Sequence, residues 1–122
     1  MVHKKRRIKV GAVSYLNAKP LIYTIPENDS TIQLSLSTPS RLAEQLKTGR
    51  LDIALIPSIE YFRNPGYKIV PNISISSHGK VCSVKLFSKK PIEQIQKVTL
   101  DDSSRTSRAL LKILLKERYN LT

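Results

Sequence analysis

The sequence has few of the residues that form metal centres and disulfide frameworks. Its 122 residues include one cysteine, Cys82, and two histidines, His3 and His78, which are far apart. A lone cysteine excludes an internal disulfide and fits a reducing compartment. These residues also form no metal-ligand set of the usual spacing, so we expect no metal site. In its apolar surroundings, Cys82 is expected to be a small buried side chain.

Glycine and long apolar runs are also scarce. Four glycines are too few for a glycine-rich phosphate loop, and no Ser-His-Asp set or paired-carboxylate motif is present. No run approaches the roughly 18 apolar residues that a membrane span requires. The apolar stretch after the basic N-terminus is too short and too polar for a signal peptide. We therefore expect a cytoplasmic protein with no membrane partner.

Acidic residues are outnumbered: 9 stand against 21 lysines and arginines, for a formal net charge of +12. Such a charge favours an anionic partner. Five of the basic residues lie in the first nine positions and the others are scattered. No nucleic-acid-binding motif appears, so a solvated basic surface is preferred to a nucleic-acid groove, and no nucleic acid is expected as partner.

Hydrophobic residues make up 40% of the chain, enough for a core. Apolar runs and turn residues predict alternating strands and helices, with a change to mixed short strands near residue 67. The predicted strands are 8–13, 32–36, 51–56, 68–70, 73–76, 81–87 and 98–100. The predicted helices are 18–23, 39–48, 58–62, a single turn at 91–95, and a C-terminal helix from residue 102 or 103 onward. This order is typical of an α/β fold whose mixed sheet carries helices on both faces.

Small polar side chains follow three of the predicted strands. They are Ser14, Tyr15 and Asn17 after the first strand, Ser58 after 51–56, and Ser103, Ser104, Arg105, Thr106 and Ser107 after 98–100. Ligands of open α/β sheets bind beyond such strand ends.

The third group has the clearest chemistry. A helix N-terminus offers unpaired N–H groups, the hydroxyls add donors, and Arg105 adds a charged fork, which together suit a carboxylate or phosphate. An alternative remains open, in which Ser103 and Ser104 are only helix caps. Similarly, Asn17 could be an ordinary cap, and Glu60, beyond Ser58, is expected to occupy a solvated helix position.

Four stretches together resemble a known family. They are VGAVSYLNAKPL (10–21), PSRLAEQLKTGRLDIALIPSIEY (39–61), NPGYKIVPNISISSHGKVCSVKLFSKKPIEQI (64–95) and LDDSSRTSRALLKILL (100–115). The chain from Ile8 onward resembles the chorismate dehydratases of menaquinone biosynthesis by the futalosine pathway. The SYLNAKP form resembles the dehydratase more than its sister, the dihydroxynaphthoate synthase.

The resemblance implies a fold like the type 2 periplasmic binding proteins, with two α/β lobes around a substrate cleft. Residues 1–7 would be a basic tail and residues 8–122 the first lobe, apparently truncated before the second. It also implies a hydro-lyase that converts chorismate to 3-[(1-carboxyvinyl)oxy]benzoate and water without a metal or organic cofactor.

By the same resemblance, Asn17 is the residue expected to matter for the reaction. The expected substrate-binding residues are Ser14, Tyr15, Ser58, Ser83, Ser103, Ser104, Arg105, Thr106 and Ser107. One lobe lacks the second wall of the cleft, so we expect this piece to be inactive or nearly so by itself. A solute-binding or sensor lobe for a small anion is the alternative, because a fold does not determine a function.

Overall fold

Three parallel strands form the only sheet in the computed structural model, which describes residues 6–121. The strands are β1 (Ile8–Val13), β2 (Ile32–Ser37) and β3 (Ile53–Ala54), and their order is β2-β1-β3. β1 is therefore central, pairing with β2 along its full length and with β3 at Val10 and Gly11. Its apolar run fits this position, since a central strand is shielded on both edges.

The helices follow the predicted order. A 3-10 turn (Leu16–Ala18) leads into α1 (Lys19–Ile22), and then come α2 (Pro39–Lys47), α3 (Ser58–Arg63), a second 3-10 turn (Ile92–Gln94) and α4 (Arg105–Tyr119). Proline at the first position of α2 costs no hydrogen bond, and Gly49, with a φ of 70°, follows its C-cap. The predicted α2 and the predicted turn at 91–95 are both confirmed.

The core lies between the sheet and α2. Val13, Ala18, Leu42 and Leu51 form its buried cluster, and Leu42 is wholly enclosed. A Cβ added to Gly11 would lie 2.5 Å from Leu51 Cδ1 and 2.7 Å from Leu42 Cδ2. Only glycine at this point of β1 lets α2 and the chain before β3 approach so closely.

The opposite sheet face is covered only in part, since Ala12 on this face is buried. Ile8, Leu36 and Ile53, which alternate with the core-facing positions, are each at least 40% exposed. The predicted helix cover is therefore confirmed on the sheet face that packs against α2 and is incomplete on the opposite face. The prediction of a mixed sheet is wrong for the described residues, because all strand pairs are parallel.

The segment between α3 and α4 differs most from expectation. The strands predicted at 68–70, 73–76, 81–87 and 98–100 do not form. No neighbouring strand accepts their backbone hydrogen bonds, and an unpaired strand is not stable in water. Their apolar side chains are largely exposed, and so is Cys82, which was expected to be buried.

α4 is covered on one side only. Leu110, Ile113 and Leu114 are about half exposed, whereas Leu111 and Leu115 line a cavity of about 200 Å³ shared with the 95–100 segment.

The predicted basic tail lies mostly outside the described residues. Its last two members are visible: Arg6 forms an ion pair with Asp52, and Arg7 donates to the Asp29 carbonyl oxygen. No helix within residues 6–121 is long and apolar enough to cross a membrane.

Candidate functional site

The carboxyl ends of the three strands share one edge of the sheet because all strands are parallel. Ser14 and Tyr15 follow β1 directly, and α3 begins at Ser58, shortly after β3. The first turn of α4 lies against the first turn of α3. We call this the strand-end site: residues 14–17, 58–60 and 104–107.

The turn after β1 is held in place by Ala18, whereas the side chains of residues 14–17 are exposed. Ala18 is fully buried in the core, and its N–H donates to the Tyr15 carbonyl at 3.0 Å. Tyr15 occupies the N-cap position, so the alternative of Asn17 as a cap is wrong. Ser14, Tyr15 and Asn17 are exposed, and their side chains make no hydrogen bond to any residue in the range 6–121. The Asn17 amide is thus available to donate to and accept from a ligand.

The first turns of α3 and α4 are joined through Thr106. Its Oγ1 accepts a hydrogen bond from the Ile59 backbone N–H at 3.3 Å and lies 3.5 Å from Ser58 Oγ. Two predicted residues that are 48 positions apart in sequence therefore meet. The contact draws the start of α4 onto the strand edge.

Glu60 forms a second link between these helices. Its residue exposure is only 7%, and its Oε1 lies 3.2 Å from Arg105 Nη1 and 3.7 Å from Arg63 Nη1. The expectation of a solvated Glu60 is wrong, because α4 covers it. A charge this enclosed is tolerated only when it is paired. Sequence reasoning had no signal for this contact, which joins residues 45 positions apart.

A local turn precedes α4. The Asp101 carboxylate accepts from the Ser103 N–H at 2.9 Å and from the Ser103 hydroxyl at 2.7–2.8 Å. The Ser103 N–H and then its hydroxyl hold the pKa of Asp101 below its ordinary value of 3.8, since both bonds favour the charged carboxylate. The Ser103 hydroxyl proton is therefore already used. The N-cap of α4 is Ser104, so Ser103 does not cap the helix. The Ser103 hydroxyl instead closes the local turn with Asp101.

Ser104 is the N-cap of α4, and its side chain makes no capping hydrogen bond. Its hydroxyl instead donates to the Ser107 hydroxyl at 2.7 Å, and both side chains are half-buried. The first-turn N–H groups of a helix lack intrahelical partners. The Ser104 hydroxyl proton is used within this pair, so the Ser107 hydroxyl and the first-turn amides are the neutral donors at the start of α4.

Comparisons with known proteins decide the family. A sequence model described as menaquinone biosynthesis matches residues 8–122. The chain belongs to the menaquinone biosynthesis family. It is similar to the chorismate dehydratase of Thermus thermophilus, with 31% identity over 109 residues. The match covers 88% of this chain and 40% of that relative, so the chain spans well under half of the relative's length.

The structure of this member of the menaquinone biosynthesis family brings together only some of the predicted site residues. Ser58, Arg105 and Thr106 meet, with Ser104 and Ser107 next to them, and residues 14–17 follow β1 at the same edge. Ser83 is exposed in the irregular segment and makes no side-chain hydrogen bond to the described residues. Glu60 was missed as a buried group.

This family member also has a polar cavity away from the strand-end site. Lys9, Gln33, Ser35, Gln45, Arg50 and Leu51 line a polar cavity of about 200 Å³ near the amino ends of the strands. It carries two cationic side chains and is the competing location for an anion.

Over residues 6–121, no three His, Cys, Asp or Glu side chains are grouped so as to hold a metal ion.

Proposed function

We propose that this chain forms one wall of the active site of a chorismate dehydratase. The reaction removes water from chorismate to give 3-[(1-carboxyvinyl)oxy]benzoate, as a carbon–oxygen hydro-lyase of the futalosine route to menaquinone in the cytoplasm. Family membership and the relative's name support the substrate, and the convergence of Ser58, Thr106 and the start of α4 at the strand ends supports the location.

Chorismate carries two carboxylates, so its binding site must supply several donors. The first turn of α4 offers N–H groups without intrahelical partners and the positive end of the helix dipole, and the Ser107 hydroxyl, which accepts from Ser104, adds a further donor. We assign one carboxylate to these groups. The net charge of +12 supports binding of a dianion in a general way, by raising its local concentration.

We assign the ring hydroxyl to Asn17 and a face of the ring to Tyr15. In the reaction one ring C–H proton and the hydroxyl leave together as water, and the ring becomes aromatic. An amide N–H directed at the departing oxygen stabilises its growing negative charge. Asn17 suits this role because its amide is exposed and unengaged by the described residues.

The proton acceptor is not one of the carboxylates described at this edge. Glu60 is held by Arg105, and Asp101 already accepts two hydrogen bonds from Ser103. The lowered pKa of Asp101 makes it a poor base, and the Glu60 carboxylate is buried against Arg105. We therefore assign the ring proton either to a carboxylate of the substrate itself or to a group supplied by the second lobe.

We further propose that residues 8–122 are the first lobe of a two-lobed fold like that of the type 2 periplasmic binding proteins. The match to only 40% of the relative and the exposed apolar face of α4 support this proposal. A single wall excludes little water, so we expect the 122-residue chain alone to bind chorismate weakly and to turn it over poorly or not at all.

The test is turnover of chorismate by the complete product of the gene that encodes this chain, with Asn17→Ala and Ser104→Ala. We expect Asn17→Ala to lower kcat by about 100-fold, as loss of a charge-stabilising donor does. Ser104→Ala should raise KM by about tenfold or more, the cost of a lost hydrogen bond to a charged group.

The matched controls are Asn28→Ala and Ser77→Ala, both at exposed positions outside the strand-end site. They should leave both constants within twofold. Wild-type rates in both site variants would reject the assignment of residues. Tight chorismate binding without any product would instead favour the solute-binding or sensor alternative.

A further inference from the structure

The ion pair between Glu60 and Arg105 suggests a role beyond stability. We infer that Glu60 is a positioning residue: it holds the Arg105 guanidinium on α3, so that the substrate carboxylate is bound by the neutral donors of α4 and not by Arg105. This inference rests on the proposed function, and it removes Arg105 from the predicted set of direct ligands.

Burial distinguishes this pair from the other ion pairs described. The side chains of Glu60 and Arg105 are 9% and 32% exposed, whereas those of Arg6 and Asp52 are 74% and 32% exposed. In the Arg108–Asp102 pair the carboxylate is almost fully exposed. Glu60 is the one buried charged residue in the part of the chain that the structure describes. Leaving such a carboxylate unpaired is strongly unfavourable, so Arg105 is firmly held.

The contact also determines where α4 begins. Arg105 is the first residue of α4 and Thr106 the second, and both are fastened to α3, one through Glu60 and the other through the Ile59 N–H. Two adjacent anchors fix both the position and the rotation of the first turn. The N–H groups and the Ser104 and Ser107 hydroxyls are oriented as a consequence, and a displacement of about 1 Å in such a turn can cost about 100-fold in rate.

The charge of the pair leads to the same conclusion. Glu60 neutralises Arg105, and the same Oε1 of Glu60 lies 3.7 Å from Arg63 Nη1. A substrate carboxylate that took Arg105 would leave Glu60 with only this longer contact to a half-exposed partner. Neutral donors avoid that cost, because they need no buried counter-charge.

A rival account has Arg105 as a direct ligand, with Glu60 only a placeholder when no substrate is bound. The two accounts differ on what happens when both charges are removed. Replacement of a buried ion pair by apolar side chains of similar volume is often tolerated, whereas removal of one partner is not. The variants are therefore Glu60→Gln, Arg105→Met and the double variant Glu60→Leu/Arg105→Met, each in the complete gene product.

We expect Glu60→Gln to lower kcat for chorismate by about tenfold or more without lowering KM, because α4 is then less well placed. The double variant should recover most of the lost kcat and keep KM within about threefold of the wild-type value. Arg108→Met is the matched control, since Arg108 pairs with the almost fully exposed Asp102, and it should change kcat by less than twofold.

Two results would overturn the inference. One is a Glu60→Gln variant with lower KM and unchanged kcat, which would show a released Arg105 binding substrate. The other is a double variant with KM raised about tenfold or more, which would show that the guanidinium is a ligand. Thermal melting confirms that each variant is folded, and the double variant provides the answer if a single variant is not. Failure of the proposed function is distinct: the wild-type protein would then form no product.

Discussion

Residues 8–63 and residues 64–104 contain similar apolar sequence but have very different structure. The first region contains the whole sheet and a closed core around Leu42, whereas the second has a single 3-10 turn. In the second region, the apolar side chains Ile69, Ile73, Val84 and Phe87 are each more than half exposed. Alternating hydrophobic residues are thus not enough to form a strand.

Pairing explains the difference. β1 has a partner on each side, and the Ile8 N–H and the Asp52 N–H extend the ladders beyond the strand ends. The second region pairs with neither open edge of the sheet, so its backbone groups form no ladder hydrogen bonds. Apolar burial and backbone pairing together stabilise a fold. Both occur in the first region, so substitutions there should lower the free energy of unfolding more than substitutions in the second region.

The largest contrast should come from the same substitution in both regions. Leu42→Ala removes a fully enclosed side chain and should lower the free energy of unfolding by about 2–5 kcal/mol. Leu86→Ala, at a side chain that is 39% exposed, should lower it by less than about 1 kcal/mol. Urea unfolding of the purified chain measures both. Equal losses would mean that the second region has a core of its own.

A smaller contrast in unfolding free energy is expected when one glycine in each region is replaced by alanine. Gly11→Ala places a Cβ against Leu42 and Leu51 in the core and should cost about 1–3 kcal/mol of unfolding free energy. Gly66→Ala meets no atom within 4 Å and should change it by about 0.5 kcal/mol or less.

Combining Gly11→Ala with Leu42→Ala sharpens this test. The shortened side chain removes the contact with Leu42 and leaves the one with Leu51, so the double variant should lose less stability than the sum of the single losses. Strict additivity would contradict the close approach of β1 and α2.

The smallest expected effect is the loss of folding stability at acidic pH. The Thr31 hydroxyl, followed by the Thr31 and Ile32 N–H groups, holds the pKa of Asp29 below its ordinary value of 3.8. A lowered folded-state pKa means that the stabilising contribution is complete above about pH 3.8 and is lost as the pH falls through the folded pKa. The stability difference between the wild type and Asp29→Asn should therefore shrink on acidification.

Asp101 provides the comparison for this prediction. Its pKa is also lowered, by the Ser103 contacts, but it lies in the region without a sheet. NMR titration should place both carboxyl pKa values below 3.8. An Asp29 value at or above 3.8 would contradict the bonds that Asp29 makes at the start of β2.

Most of what could be predicted from the sequence came from patterns that span only a few neighbouring residues. The apolar run of β1, the Thr38-Pro39 start of α2 and the polar residues after β1 and β3 are all readable within a few positions. Contacts between distant positions were not readable. The burial of Glu60 depends on Arg105, and the strands predicted after residue 67 do not form because their backbone pairs with neither open edge of the sheet.

NMR titration of the isotopically labelled 122-residue chain with chorismate tests the central claim most directly. The account predicts saturable shifts, in the millimolar range of chorismate, at the amides of Asn17, Ser58 and residues 104–107. Shifts confined to the polar cavity of Lys9, Gln33 and Arg50, with none at the strand-end site, would contradict it.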